Sequence, residues 1–152
     1  MSSESASHLT LEELMTRQVV TVAMDDSLET VREDFHRCRF HHLLVVDSHK
    51  VVGVLSDRDL LRHLSPFAGK PLSERAQDEA TLHKHVHQIM TRRPITARAD
   101  MLATVAARLM LDQHISCLPV VDEESRPVGI VTWRDLLRGL VEAEQGANIR
   151  AA

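Results

Sequence analysis

Apolar and polar positions follow one rhythm along this chain, and they follow it twice. Leu11, Leu14 and Met15 recur at i, i+3 and i+4, and Val86, Ile89 and Met90 repeat that spacing. The pattern predicts a short helix in each half, ending at a Met-Thr pair. A brief β-branched run follows in each half, Val19–Val22 and Ile95–Ala97, and reads as a strand. A longer helix is predicted next, starting near Ser27 and near Asp100. In the second half its apolar stripe is Leu102, Val105, Ala106, Leu109 and Met110. Two strands follow, "HLLVVD" and "KVVGVLS", then "CLPVVD" and "RPVGIVT". Their short polar connections predict hairpins. A last helix starts at Ser56 in the first half and at Thr132 in the second.

The rhythm is a repeat of residues as well as of periodicity. "MTRQVVTV" at 15–22 matches "MTRRPITA" at 90–97, and "DSLETV" at 26–31 matches "DMLATV" at 100–105. "VVGVLSDRDLLR" at 51–62 matches "PVGIVTWRDLLR" at 127–138. The offset is about 75 residues throughout. One copy alone leaves an apolar sheet face wet. The expected architecture is therefore α+β: two pseudo-symmetric β-α-β-β-α repeats packed sheet to sheet, each with a short leading helix. Residues 9–64 form the first repeat and 83–146 the second. Residues 1–8 and 147–152 read as flexible ends. Residues 65–82 are a linker, where Pro66, Gly69 and Pro71 break regular structure and Leu64 and Phe67 can tuck against the first repeat.

Composition narrows the function classes. The 152 residues carry a formal charge of −4 and no basic tract, which argues against a nucleic-acid partner. No apolar run is long enough to span a membrane. The N-terminus lacks the basic-then-apolar order of a signal peptide, so the default location is the cytoplasm. Cys38 and Cys117 lack metal or redox spacing and read as reduced thiols.

The repeated Ser/Thr-x-x-Asp carries the chemistry. Ser56 with Asp59, and Thr132 with Asp135, have the spacing of a helix N-terminal capping pair. The same groups suit a nucleotide. A helix N-terminus offers N–H donors to phosphate, and a carboxylate accepts hydrogen bonds from a ribose diol. Gly53 and Gly129, just upstream, are expected to leave room for a base to approach the strand. Capping alone and capping plus ligand binding both fit the residues.

With these motifs in place, the chain resembles a tandem pair of CBS domains, a Bateman module. "LVVD" at 44–47, "PVVD" at 119–122, "GVLSDRD" at 53–59 and "GIVTWRD" at 129–135 carry the likeness. The "SDRDLLRHLSPF" stretch and the linker position also resemble bacterial stand-alone CBS proteins of the acetoin-utilisation accessory type. The resemblance implies binding of an adenosine compound (AMP, ADP, ATP, S-adenosylmethionine or NAD) between repeats. It implies a conformational signal to a regulated partner, itself unidentified, and a homodimer through helix faces near Leu136, Leu137 and Val141. It implies one cleft of Ser56, Arg58 and Asp59 with Thr96, Ala97, Ile115 and Ser116, and with His41 and His42 near the phosphates. A second cleft would join Thr132, Arg134 and Asp135 with Thr21, Val22, Phe40 and His41. The first has the richer cationic set and is favoured. Trp133 in the second can stack on a base, block the cleft or face a partner. Leu44 stands where the family has Pro, and His114 where it has Gly.

Other clusters carry less. On a helix, His83 and His87 of "LHKHVHQ" would share a face with His85 elsewhere, too few ligands for a closed metal site. Arg32, His36, Arg37, Arg39, His41 and His42 form a basic patch that suits a helix end or a neighbouring polyphosphate. No nucleophile elbow, phosphate-binding glycine loop or catalytic pair appears, so no enzyme activity and no catalytic cofactor are expected. The expected role is a regulatory adenine-nucleotide sensor. The alternatives are a structural interaction module with empty clefts and a His-based metal or pH sensor.

Overall fold

The computed structural model describes residues 8–66 and 76–151. In chain order the helices are α1 (Leu11–Leu14), α2 (Leu28–Cys38), α3 (Asp57–His63), α4 (Ala76–Ala80), α5 (Val86–Ile89), α6 (Ala103–Gln113) and α7 (Trp133–Ala151). The strands are β1 (Thr21–Ala23), β2 (His42–Asp47), β3 (Lys50–Ser56), β4 (Thr91–Arg92), β5 (Cys117–Val121) and β6 (Pro127–Thr132). The fold is mixed α+β, with the helices and the β-hairpin recurring in the same order in the two copies. Phe67, Gly69 and Pro71 of the expected linker lie outside the described residues. Its later part contains α4.

The chain divides into two compact units. One is contiguous, Val20–Pro94; the other joins the residues up to Val19 to those from Ile95 onward. Each leading helix thus packs in the unit built from the other copy's strands. In the contiguous unit the sheet order is β1-β2-β3-β4. β1 runs parallel to β2, and the other pairs are antiparallel. Its core joins Leu43, Val45 and Leu55 of the sheet to Leu28 and Val31 of α2, Leu60 of α3, and Val86 and Met90 of the other copy's leading segment. The hairpin between β2 and β3 turns at Ser48 and His49, both at positive φ, as a two-residue loop matched to strand twist requires.

The discontinuous unit repeats this plan with one difference. β5 and β6 pair as a hairpin, and Thr16 bridges Ile130 as β4 pairs with β3. The expected strand at Ile95–Ala97 is reduced to one parallel bridge, Ala97 to Val120. Pro119 explains the loss. In the first copy the Leu44 N–H donates to Val20 O at 3.1 Å, starting β1. Pro119 occupies the equivalent place in β5 and has no N–H to donate. The core here is Leu118, Val120 and Val131 with Ala106 and Met110 of α6, Ala97, and Leu11 and Met15 of α1.

Three local expectations are corrected. The second-copy stripe holds at Ala106, Leu109 and Met110 and differs at its start: Ala103 is buried, whereas Leu102 caps α6 and Val105 is exposed. The helix ends set this register, because Arg39 and His114 both adopt the left-handed conformation just past α2 and α6. The space beside the glycines is filled by methionine side chains rather than left open. A Cβ on Gly53 would lie 2.7 Å from Met90 Sδ and 3.1 Å from Thr91 O, and one on Gly129 would meet Met15 Sδ at 2.6 Å. Finally, α7 continues to Ala151 through the stretch read as a tail. Its Ala, Glu, Gln and Arg residues favour helix.

Candidate functional site

The two Ser/Thr-x-x-Asp motifs each sit where a strand ends and a helix begins. In the contiguous unit, β3 ends at Ser56 and α3 starts at Asp57. Ser56 Oγ accepts from the Asp59 N–H at 3.1 Å. Asp59 Oδ2 accepts from the Ser56 N–H at 3.0 Å and from the Ser56 hydroxyl at 2.7 Å. The capping pair is therefore complete, and it engages only one carboxylate oxygen. No described residue donates to Asp59 Oδ1.

The hairpin register brings charge to this cap. His42 of β2 lies opposite Ser56. The Asp57 N–H donates to His41 O at 3.1 Å, and His41 Nδ1 lies 2.7 Å from Asp57 Oδ2. Arg58 is exposed on the first turn of α3. Burial pushes the His42 imidazole below its ordinary value, opposed chiefly by the Asp57 carboxylate and reinforced by His41. Ser56, Arg58, Asp59, His41 and His42 thus come together in one unit. Thr21, Val22 and Phe40 belong to the same unit. Thr21 is exposed at the start of β1 and Phe40 is half-buried before β2, but the Val22 side chain is taken up by the core.

The second motif is built alike and finished differently. Asp135 Oδ2 accepts from the Thr132 N–H and hydroxyl, each at 2.8 Å. Its other oxygen accepts from the Arg138 guanidinium. The Trp133 N–H donates to Ser116 O at 3.2 Å, as Asp57 does to His41. The Arg134 guanidinium lies 5.5 Å from the centre of the Trp133 ring, a cation–π contact. Thr96, Ala97, Ile115 and Ser116 share this unit. Ala97 is a core residue, whereas Ile115 and Ser116 line a groove of about 510 Å³. Ala107 and Leu111 of α6 and Trp133, Leu137 and Leu140 of α7 complete much of its apolar wall. Leu137, Leu140 and Val141 are each about half exposed, whereas Leu136 packs against the core.

The histidine run is arranged differently from expectation. α5 begins only at Val86, with His85 in extended conformation as its N-cap. His85 and His87, not His83 and His87, come together, with rings stacked 5.6 Å apart. Their Nδ1 atoms face Asp25 O at 2.8 Å and Met24 O at 3.1 Å. These bonds stitch α5 to the loop after β1. Among the described residues no group of three or more His, Cys, Asp or Glu is arranged to hold a metal ion. Nor is any described helix long and apolar enough to cross a membrane.

Two residues absent from the sequence expectation bear on the caps: Asp57, which engages His41, and Arg138, which engages Asp135. Asp57 was findable as the acid adjoining Ser56. Arg138 was not, because Arg62 fills the matching place in the other copy without the same bond.

Both caps, the duplicated hairpins and the exchanged leading helices define a duplicated α+β module, and comparison with known proteins says which kind. The CBS domain family model matches residues 11–66 and 86–142, and the chain belongs to that family. A CBS domain-containing protein of Dictyostelium discoideum is 33% identical over 134 residues, covering 87% of this chain and 91% of its own. The inosine-5'-monophosphate dehydrogenase of Methanocaldococcus jannaschii is 30% identical over 84% of this chain, but the match spans only 23% of the enzyme. Among solved structures, CBSX2 in complex with AMP matches with a TM-score of 0.72 at 28% identity, over 90% of this chain and 98% of that one. A CBS domain pair bound to 5'-methylthioadenosine and S-adenosyl-L-methionine matches with a TM-score of 0.70 at 28% identity, over 85% and 93%. A Vibrio cholerae protein assigned to acetoin utilization shares the fold, with a TM-score of 0.71 at 22% identity over 91% and 96%.

Proposed function

We propose that this chain is a regulatory module that binds an adenosine-containing nucleotide through the Ser56–Asp59 cap. One observation carries the reading: Asp59 has one oxygen held by the cap and one with no described donor, at a helix N-terminus flanked by His41, His42 and Arg58. The held oxygen fixes the carboxylate, and the other can accept from a ribose hydroxyl. The helix N-terminus and the exposed Arg58 guanidinium favour the phosphate. Solved relatives that carry AMP or S-adenosyl-L-methionine support the ligand class. The module has no catalytic role in this reading. It changes conformation on binding and signals to a partner protein in the cytoplasm.

Titration calorimetry with AMP, ATP and S-adenosylmethionine tests it. A nucleotide should bind the wild-type chain, and Asp59→Ala should weaken binding roughly 10-fold to 100-fold, as expected for loss of hydrogen bonds to a charged group. Absence of binding by all three would reject the reading.

The exposed apolar faces of α6 and α7 favour a second function for the same chain, self-association. A second copy, seated on Leu111, Trp133, Leu137 and Leu140 by an isologous contact, would bury this groove. Light scattering should give a dimer that Leu137→Glu converts to monomer.

A further inference from the structure

We propose that Arg138 is a latch that keeps the second nucleotide site closed, so that the module binds one nucleotide tightly rather than two. The inference rests on the nucleotide-binding reading above and concerns the unequal use of two identical stretches. Both copies read Arg-Asp-Leu-Leu-Arg, at 58–62 and at 134–138. In each, the second Arg lies three residues after the ribose-accepting Asp, within reach on a helix. Only Arg138 uses that reach, bonding the Asp135 oxygen that the cap leaves over. Arg62 is exposed and makes no ion pair with a described residue.

Helix length accounts for the difference. α3 ends at His63, so Arg62 lies in its last turn, where the negative end of the helix dipole attracts the guanidinium. α7 runs on to Ala151, so no such end competes for Arg138. The pair is also well placed to persist: the Asp135 side chain is only 8% exposed, while that of Arg138 is 60% exposed. The neighbouring cation is engaged as well, Arg134 lying against Trp133. Among the described residues the second cap therefore presents neither an open carboxylate oxygen nor an uncommitted first-turn cation, and the first cap presents both. A ribose reaching Asp135 must first displace Arg138. Because Arg138 is mostly solvated, the latch is reversible, and it sets the affinity ratio of the two sites.

Titration calorimetry of the full chain with AMP, ATP and S-adenosylmethionine in turn tests the latch. The wild-type chain should bind one tight equivalent, with any second equivalent roughly 10-fold to 100-fold weaker, the range expected for one charge-assisted bond. Arg138→Ala should bind a second tight equivalent, and Arg138→Gln should do so with the side-chain stem retained. Adding Asp59→Ala to Arg138→Ala should return the count to one, now at Asp135. Two equal tight equivalents in wild type would overturn the latch and leave the nucleotide reading intact. So would a single tight equivalent that persists unchanged in folded Arg138→Ala. No binding by wild type or Arg138→Ala would overturn both.

Discussion

Arg39 and His114 close α2 and α6 in the left-handed conformation, at φ of 53° in each case. A side chain there costs about 1–2 kcal/mol, and glycine avoids that cost while adding freedom to the unfolded chain worth roughly 0.4–1 kcal/mol. Arg39→Gly and His114→Gly should each raise stability by about 0.5–1 kcal/mol, read as a higher urea midpoint. His42 makes a pH-dependent contribution with a definite sign. Its folded pKa is depressed by burial, so the folded chain binds the proton more weakly than the unfolded chain. The stability this contributes is present above the ordinary imidazole value of about 6.5 and is lost as pH falls from there through the lowered folded value. In His42→Gln the decline in urea midpoint between about pH 7 and pH 5 should flatten. Residues of this kind were only half legible. Ser56 and Asp59 announce a cap because capping is a contact across three positions. Arg62 and Arg138 are written identically, and what separates them is a helix end many residues away.

Elements were legible where their signal is local. Both hairpins follow from β-branched runs meeting short polar turns, and the starts of α2, α3 and α7 follow from Ser27, Ser56 and Thr132, whereas α6 begins at Ala103, past the expected Asp100, with no side-chain cap. The α6 stripe was legible at Ala106, Leu109 and Met110 but not at its start, because "DSLETV" and "DMLATV" align as letters one residue away from the structural register that Arg39 and His114 share. The strand before α6 was lost to the missing N–H of Pro119. Its counterpart predicts the effect of restoring that defect in the first copy. Leu44→Pro removes the bond to Val20 O and should destabilise the chain by about 1–3 kcal/mol, through an unsatisfied carbonyl in a largely buried sheet. Gly53→Ala should cost a similar amount, about 1–3 kcal/mol, because Met90 Sδ and the Thr91 carbonyl occupy the space a methyl needs. Chemical denaturation reads both losses.

At the scale of the molecule, two sequence repeats became two units that do not coincide with them. Periodicity shows that α1 and α5 each have an apolar face, but not which sheet receives it. The exchange predicts how fragments behave. A chain of residues 20–94 holds the whole contiguous core, including Val86 and Met90. A chain of residues 9–64 lacks both. The first should melt cooperatively by circular dichroism and the second should not.

That exchange also orders events on the ribosome. The contiguous unit can settle as soon as Pro94 has left the exit tunnel, since every group in its core has by then been made. Helix α1, translated before the contiguous unit, has no seat until β5, β6 and α6 emerge. A segment made before the contiguous unit thus docks after it, and a nascent chain stalled after Pro94 would present one finished unit with Leu11 and Met15 still uncovered.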